Sequence, residues 1–338
     1  MSQAPSLAII QSDVPAWQGM LSDLITDPQE LLALLDLDGS QCPPSLNATK
    51  QFPLKLPRWF VSRIRPGDWN DPVLRQVWPA ASEERTIAGY GSDPLEEAGF
   101  NPVPGLLQKY TSRVLLMAAP HCAIHCRYCF RRHFDYAGNA PSRQDWGAAF
   151  EHVARDPEIR EVILSGGDPL ALSNRQLGWL VEQVEAIPHV TTLRIHTRMT
   201  VVLPQRVDGA LADRLRGSRL KTVVVSHCNH AQELSAESRM AFASLAHAGA
   251  TLLNQAVVLA DVNDSSEILA DLSRELFDQG VLPYYLHLPD AVAGTAHFDV
   301  PLARAQALVA ELQARLPGYL VPRLVREEPG ESSKTRYA

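Results

Sequence analysis

Positive charge is in short supply. Lys and Arg number 31 against 38 Asp and Glu in 338 residues, a net charge of −7. A general nucleic-acid coat is excluded, because phosphate binding needs a net or clustered positive surface. Long apolar runs are missing too. None approaches the about 18–20 residues that a membrane helix needs, and the opening MSQAPSLAIIQSD has no basic stretch ahead of an apolar one. The expectation is no signal peptide, no membrane partner and a cytoplasmic location. Cysteine is scarce, with five in the chain, too few for a disulfide framework. The 46% hydrophobic and 20% charged shares are ordinary for a chain with a buried core, which rules out disordered and collagen-like classes.

What is present is unevenly placed. Up to residue 110 prolines are dense, among them Pro43, Pro44, Pro53, Pro57, Pro66, Pro72 and Pro79, interspersed with Trp59, Phe60, Trp69 and Trp78. They forbid long helices and central strands. One helical stretch, Pro28–Leu37, follows Asp27 as N-cap. Residues 1–110 are expected to be a helical and irregular extension packed on the main domain. From Arg113 the rhythm is regular: apolar or β-branched runs near 114–118, 161–165, 192–197, 221–226, 252–258 and 284–288 alternate with amphipathic segments near 142–155, 173–187, 205–216, 231–248, 264–279 and 302–315. Six β-then-α units in a row predict an α/β fold with a parallel sheet and right-handed crossovers. Residues 111–318 form this unit, and 319–338 a short C-terminal segment.

Polar residues follow nearly every run: the cysteines, Gly166-Gly167-Asp168-Pro169, His196 and Arg198, His227 and Asn229, Asn254 and Gln255, His287 and Asp290. Strand ends converging on one mouth are the mark of a barrel, complete or partial, whereas an open sheet concentrates its site at one switch point. A partial (β/α)6 barrel is expected.

Cys122, Cys126 and Cys129 are spaced C-x3-C-x2-C. Three thiolates on one short loop can hold three irons of a [4Fe-4S] cluster and leave the fourth open. Zinc is the alternative, kept alive by His121, His125 and His133, although zinc sites usually take four ligands in two separated pairs. Cys42 and Cys228 read as small buried residues. Glycines at Gly166 and Gly167 let backbone approach a ligand closely; alone, the motif is more often a plain strand-to-helix turn with Asp168 helping the cap.

This cysteine loop after the first of six β/α units resembles the radical S-adenosylmethionine (SAM) superfamily, whose open iron binds SAM and whose reduced cluster cleaves it to a 5′-deoxyadenosyl radical. In that superfamily the Gly166-Gly167-Asp168 turn meets the SAM amino group. The resemblance narrows over residues 90–334. Asp93-Pro94-Leu95, Pro102-Val103-Pro104-Gly105-Leu106, Lys109-Tyr110, Arg131-Arg132, Val201-Val202-Leu203-Pro204-Gln205-Arg206, Asn254-Gln255, Val262-Asn263-Asp264 and Pro283-Tyr284-Tyr285 look like the lysine 2,3-aminomutase family, which uses SAM, a four-iron cluster and pyridoxal 5′-phosphate (PLP) to move an amino group from C2 to C3.

The resemblance implies roles. Lys334 matches the PLP Schiff-base lysine; by itself it reads as a solvated tail residue. Arg131 matches the arginine that holds the substrate carboxylate. Asp290 and Glu327 match the acids that pair with the lysine side-chain ammonium, a cation that must be paired when buried. Lys109, Tyr110 and Arg113 lie where the family contacts PLP, and His227 and Gln255 near SAM and PLP. His287 stands where the family has a tyrosine near the PLP ring. Glu327 replaces an Asp, and Gly330-Glu331-Ser332-Ser333 a glycine run. The short stretch after Lys334 resembles the branch that supplies (R)-β-lysine for modification of elongation factor P, with the elongation factor P lysyl ligase and an external electron donor as functional partners. A mutase for glutamate would want cations where Asp290 and Glu327 stand. A non-catalytic metal-binding regulator would have no use for Lys334 or Arg131.

Overall fold

A computed structural model of the chain describes residues 15–134 and 141–338; the reading of the opening residues lies outside them. Among the described residues nine strands form one sheet whose spatial order is the order of the chain: β1 (Leu106–Tyr110), β2 (Arg113–Ala119), β3 (Glu161–Gly166), β4 (Thr192–Thr197), β5 (Lys221–His227), β6 (Thr251–Val257), β7 (Leu282–His287), β8 (Arg323–Arg326) and β9 (Thr335–Arg336). Strands β2 to β8 are parallel, while β1 and β9 pair antiparallel at the two edges. Six helices make the crossovers: α1 (Arg143–Arg155), α2 (Asn174–Glu185), α3 (Gly209–Arg216), α4 (Ala236–His247), α5 (Ser266–Asp278) and α6 (Leu302–Arg315). This is a partial (β/α)6 barrel. Among the described residues no pairing joins β9 to β1.

Local chemistry sets the helix starts. Ser142, Ser173, Asp208, Ser235 and Ser265 each accept a backbone N–H of the first turn of the helix they precede, which satisfies donors that a helix cannot pair internally. The sheet takes strands from both flanks of the 111–318 segment: β1 from before it, β8 and β9 from after it. These additions cap a parallel sheet with short edges. They escape the periodicity argument because β1 is charged at Lys109 and β9 is only two residues long.

The extension has only short elements. Asp27 caps the helix Pro28–Leu34 through Gln29 N at 2.9 Å, and Leu24–Ile25 pairs with Leu56–Pro57. Trp17, Phe60 and Trp78 are buried in the common core. Trp17 also donates its indole N–H to Asp208 at 3.1 Å, and the Arg206 guanidinium lies 4.3 Å from its ring. Among the described residues no helix is long and apolar enough to cross a membrane.

Candidate active site

Side chains alternate across a strand, and paired residues of neighbouring strands share a face. Leu116, Leu164, Ile195, Val224, Ala256 and Leu286 belong to the core under the helices. The opposite face carries Met117, Ser165, His196, His227, Gln255 and His287, by the register Met117↔Ser165, His196↔Val225, His227↔Gln255 and Val257↔His287. Most of the polar strand-end residues of the sequence therefore meet on one surface; Asn254 lies instead on the face of Ala256, where its amide holds the backbone of Cys228.

The cysteine loop leaves β2 directly onto this mouth. Burial pushes the Cys122 thiol well above its ordinary value and that of Cys129 to about 12. Lys55 opposes this at Cys122, and Arg131 with Arg132 at Cys129; the Cys126 Sγ accepts from Arg198 Nη1 at 2.7 Å. Three half-buried thiols with neighbouring cations are a donor set that, once deprotonated, suits an anionic cluster. Among the described residues no group of three or more His, Cys, Asp or Glu is arranged to hold a single metal ion. Zinc would draw every thiolate to about 2.3 Å, whereas a four-iron cluster takes each at a different corner. Of the other cysteines, Cys228 is buried and Cys42 half-buried.

The extension holds this loop from outside. His125 N donates to Lys55 O at 2.9 Å and Arg127 N to Gln76 O at 2.8 Å, and His125 stacks on Phe52 at 4.5 Å. Glu83 takes Arg127 at 2.5 Å and Arg132 at 2.6 Å, all but excluded from solvent. Sequence reasoning missed Glu83, because nothing local marks a partner 44 residues away.

The Gly166–Pro169 turn meets the loop backbone to backbone. Gly167 N donates to Ala119 O at 2.8 Å and Asp168 N to His121 O at 2.9 Å. A Cβ on Gly167 would lie 2.3 Å from His121 O, and Gly166 has φ +107°; both positions need glycine. The Asp168 carboxylate is taken up by Thr197 Oγ1 at 2.7 Å and by the backbone N–H of Leu170, Arg198 and Met199 at 3.0, 2.7 and 3.2 Å. It ties the end of β3 to the end of β4.

At the other side of the mouth, the C-terminal segment returns Lys334 to the sheet. Val325 pairs with Arg336 and Arg326 with Thr335, and the Tyr337 hydroxyl donates to Glu328 at 2.7 Å. Lys334 Nζ donates to Glu327 at 2.6 Å, and Lys109 Nζ donates to the other oxygen at 3.0 Å. Burial pushes the Glu327 carboxyl up, but the two lysines outweigh it and hold it down at about 2. Asp290 behaves oppositely: burial raises its carboxyl to about 7 against the pull of Lys334. The loop of Asp290 is clamped by the extension, with Gly91 N on Ala291 O at 3.0 Å and Ala293 N on Gly91 O at 2.7 Å. A cavity of about 270 Å³ opens beside the acids, lined by Tyr90, Leu95, Asp290, Asp299, Arg326 and Glu327 among others.

Arg131 is buried, and its fork is bidentate to Glu97, Nε at 2.8 Å and Nη2 at 2.7 Å, with Nη1 on Ser165 Oγ at 3.3 Å. Glu97 comes from the extension and carried no signal in the sequence. The histidines are neutral: burial lowers His196 and His287 well below the ordinary range and His227 to about 3. Gln255 donates its amide to His227 Nε2 at 2.8 Å. Nε2 of His196 and of His287 is buried without a partner. Two orphaned nitrogens on rings that feel the charge of Lys334 suit a surface that receives a polar cofactor ring. The Arg113 guanidinium covers the Tyr110 ring at 4.0 Å, and burial pushes the Tyr110 phenol to about 12.

The class follows first. A model of the radical SAM superfamily matches residues 117–227, from the end of β2 through the three cysteines to His227. Relatives then narrow it. The chain is 48% identical to L-lysine 2,3-aminomutase of Escherichia coli strain K12, over 94% of this chain and 93% of that one. It is 44% identical to that of Haemophilus influenzae over 95% of each, and 33% identical to that of Clostridium subterminale over 97% of this chain and 79% of that one. The chain belongs to the L-lysine 2,3-aminomutase family of radical SAM enzymes. The cofactors that membership implies are a [4Fe-4S] cluster, SAM and PLP.

Proposed function

We propose that the protein converts L-lysine to (R)-β-lysine in the cytoplasm, with PLP carried on Lys334, and that the product serves modification of elongation factor P. The observation that carries this reading is the return of Lys334 by the tail to Glu327 and Asp290, at one side of a mouth whose other side holds the three cysteines. When bound, the cluster and SAM supply a 5′-deoxyadenosyl radical, and PLP supplies the carbonyl chemistry for moving nitrogen between neighbouring carbons. Cys122, Cys126 and Cys129 would hold the cluster. Gly166 and Gly167 bring the turn against it.

The remaining residues position substrate. Asp290 and Glu327 receive the side-chain ammonium, since a buried cation must be paired. Arg131 receives the carboxylate and shares its guanidinium with Glu97, which fixes the plane of the fork. Tyr110, Arg113, His227, Gln255 and His287 line the surface on which PLP and SAM rest. The surrounding extension keeps water from the radical. The deciding experiment is an anaerobic assay with SAM, reductant, PLP and L-lysine, read for β-lysine. Absence of β-lysine from iron-replete, PLP-loaded protein overturns the reading. Turnover of glutamate in preference to lysine overturns the pocket assignment alone.

Asp290 makes the pocket pH-dependent. With its carboxyl raised to about 7, it is protonated below that pH and charged above it. The kcat/KM for lysine should therefore rise as pH increases through 7. Asp290→Asn should flatten this limb and lower kcat/KM about ten- to a hundredfold, the equivalent of losing a charged hydrogen bond of about 1.5–3 kcal/mol. Iron content should stay at the wild-type level, and a full-height profile in the variant would remove Asp290 from the pocket.

A further inference from the structure

We propose that Arg198 is a positioning residue of the iron–sulfur centre, holding the sulfur of Cys126 by a charged hydrogen bond and so setting how readily the cluster accepts its electron. This rests on reading Cys122, Cys126 and Cys129 as the cluster ligands.

Arg198 is the first residue after β4 and is 4% exposed. Its backbone N–H and both terminal nitrogens are fixed. Its backbone N–H donates to Asp168 at 2.7 Å. Nη2 donates to Glu233 at 2.7 Å and to Gln76 at 2.8 Å. Nη1 donates to Cys126 Sγ at 2.7 Å, and the guanidinium lies 5.6 Å from the Tyr128 ring. Its anchors are fixed in turn. Glu233 is fully buried and accepts Gln76 Nε2, Asn229 N and His230 N at 3.1, 3.0 and 3.0 Å. Gln76, from the extension, also accepts Asn229 Nδ2 at 3.0 Å.

The physical consequence is directional. Glu233 balances the charge of Arg198, so what reaches Cys126 is an oriented N–H on one sulfur rather than a bare cation. A hydrogen bond to a cluster sulfur stabilises the more negative, reduced state and raises the reduction potential. The Arg198 Nε–H is buried without an acceptor, so the guanidinium has a further donor for whatever the cysteine loop binds. The same residue links four parts of the chain: the extension through Gln76, the β3 turn through Asp168, the cysteine loop, and the segment after β5 through Glu233. A ligand sulfur placed by this linkage cannot shift without displacing a connected buried network.

The test uses the full chain, reconstituted anaerobically with iron and sulfide and titrated with dithionite while the reduced cluster is followed by electron paramagnetic resonance. Arg198→Met should keep about four irons per chain and take up its electron at least tenfold less favourably, a midpoint about 59 mV more negative for a one-electron couple. Arg198→Lys, which keeps a charge but not the fork, should fall between the two. Full iron with a wild-type midpoint in Arg198→Met overturns the proposal. If that variant loses its iron, Arg198→Lys decides by the same criterion. Loss of iron from both with wild-type circular dichroism and melting overturns the proposal as stated, because Arg198 is then required for the cluster to be held at all rather than for its electron uptake. Loss of iron together with the fold overturns it, because the residue is then structural alone. Wild type without iron overturns the ligand assignment itself, and the inference with it.

Discussion

Glu83→Ala should destabilise the protein by about 3–5 kcal/mol, the cost of leaving buried charge unpaired, and should release the cluster. One carboxylate serves two guanidinium groups. Arg127 Nε reaches Oε1 at 2.8 Å, while the Nη2 atoms of Arg127 and Arg132 converge on Oε2 at 2.5 and 2.6 Å. Side-chain exposure of all three residues is 0–1%, so water cannot replace the lost anion. The arginines retain other acceptors, Arg127 on Phe52 O at 2.5 Å and Arg132 on Gly294 O at 3.1 Å, but carbonyl dipoles do not neutralise two charges. Against a typical stability of about 5–15 kcal/mol this is a large fraction. Arg127 lies between Cys126 and Cys129, so the disturbance falls on the cluster loop. The check is urea unfolding of wild type and variant with iron counted in parallel. An unfolding free energy within about 1 kcal/mol of wild type, with iron retained, would mean that the site relaxes without its anion.

Lys334→Ala should abolish β-lysine formation, a fall of at least about a thousandfold, the scale seen when a covalently acting side chain is removed. Its iron content should match wild type. A tail lysine near a chain end is ordinarily solvated. This one is docked, because Tyr337 N donates to Leu324 O at 2.9 Å and Leu324 N to Ala338 O at 3.2 Å, and because Glu327 fixes its amine. Borohydride treatment of the PLP-loaded protein should fix the cofactor on Lys334, detected by peptide mass. Lys334→Arg should keep the ion pair with Glu327 and be equally inactive. Labelling on any other lysine, or measurable turnover by either variant, would move the PLP site elsewhere.

The architecture, and the residues proposed for the site, were legible in local patterns. Apolar runs at strand length alternate with capped amphipathic stretches, and these signals are local: they depend on residues a few positions apart. Six strands and six helices lie close to where periodicity puts them. The cysteine spacing and the Gly166-Gly167 pair are equally local. Gly167 is glycine because His121 backbone occupies the place of a side chain, a reason visible only once the loop and turn are side by side.

Tertiary structure alone decided the partners. Glu83, Glu97, Gln76 and Glu233 read as ordinary polar residues of a proline-rich extension and a helix start, yet each meets an arginine far along the chain: Arg127 and Arg132, Arg131, and Arg198. It also set the opposite protonation tendencies of Asp290 and Glu327. Two carboxyls of similar intrinsic acidity part company because Glu327 has two lysines within 3.0 Å, while desolvation dominates at Asp290. Burial and long-range pairing fix such charges, and a linear pattern does not carry them.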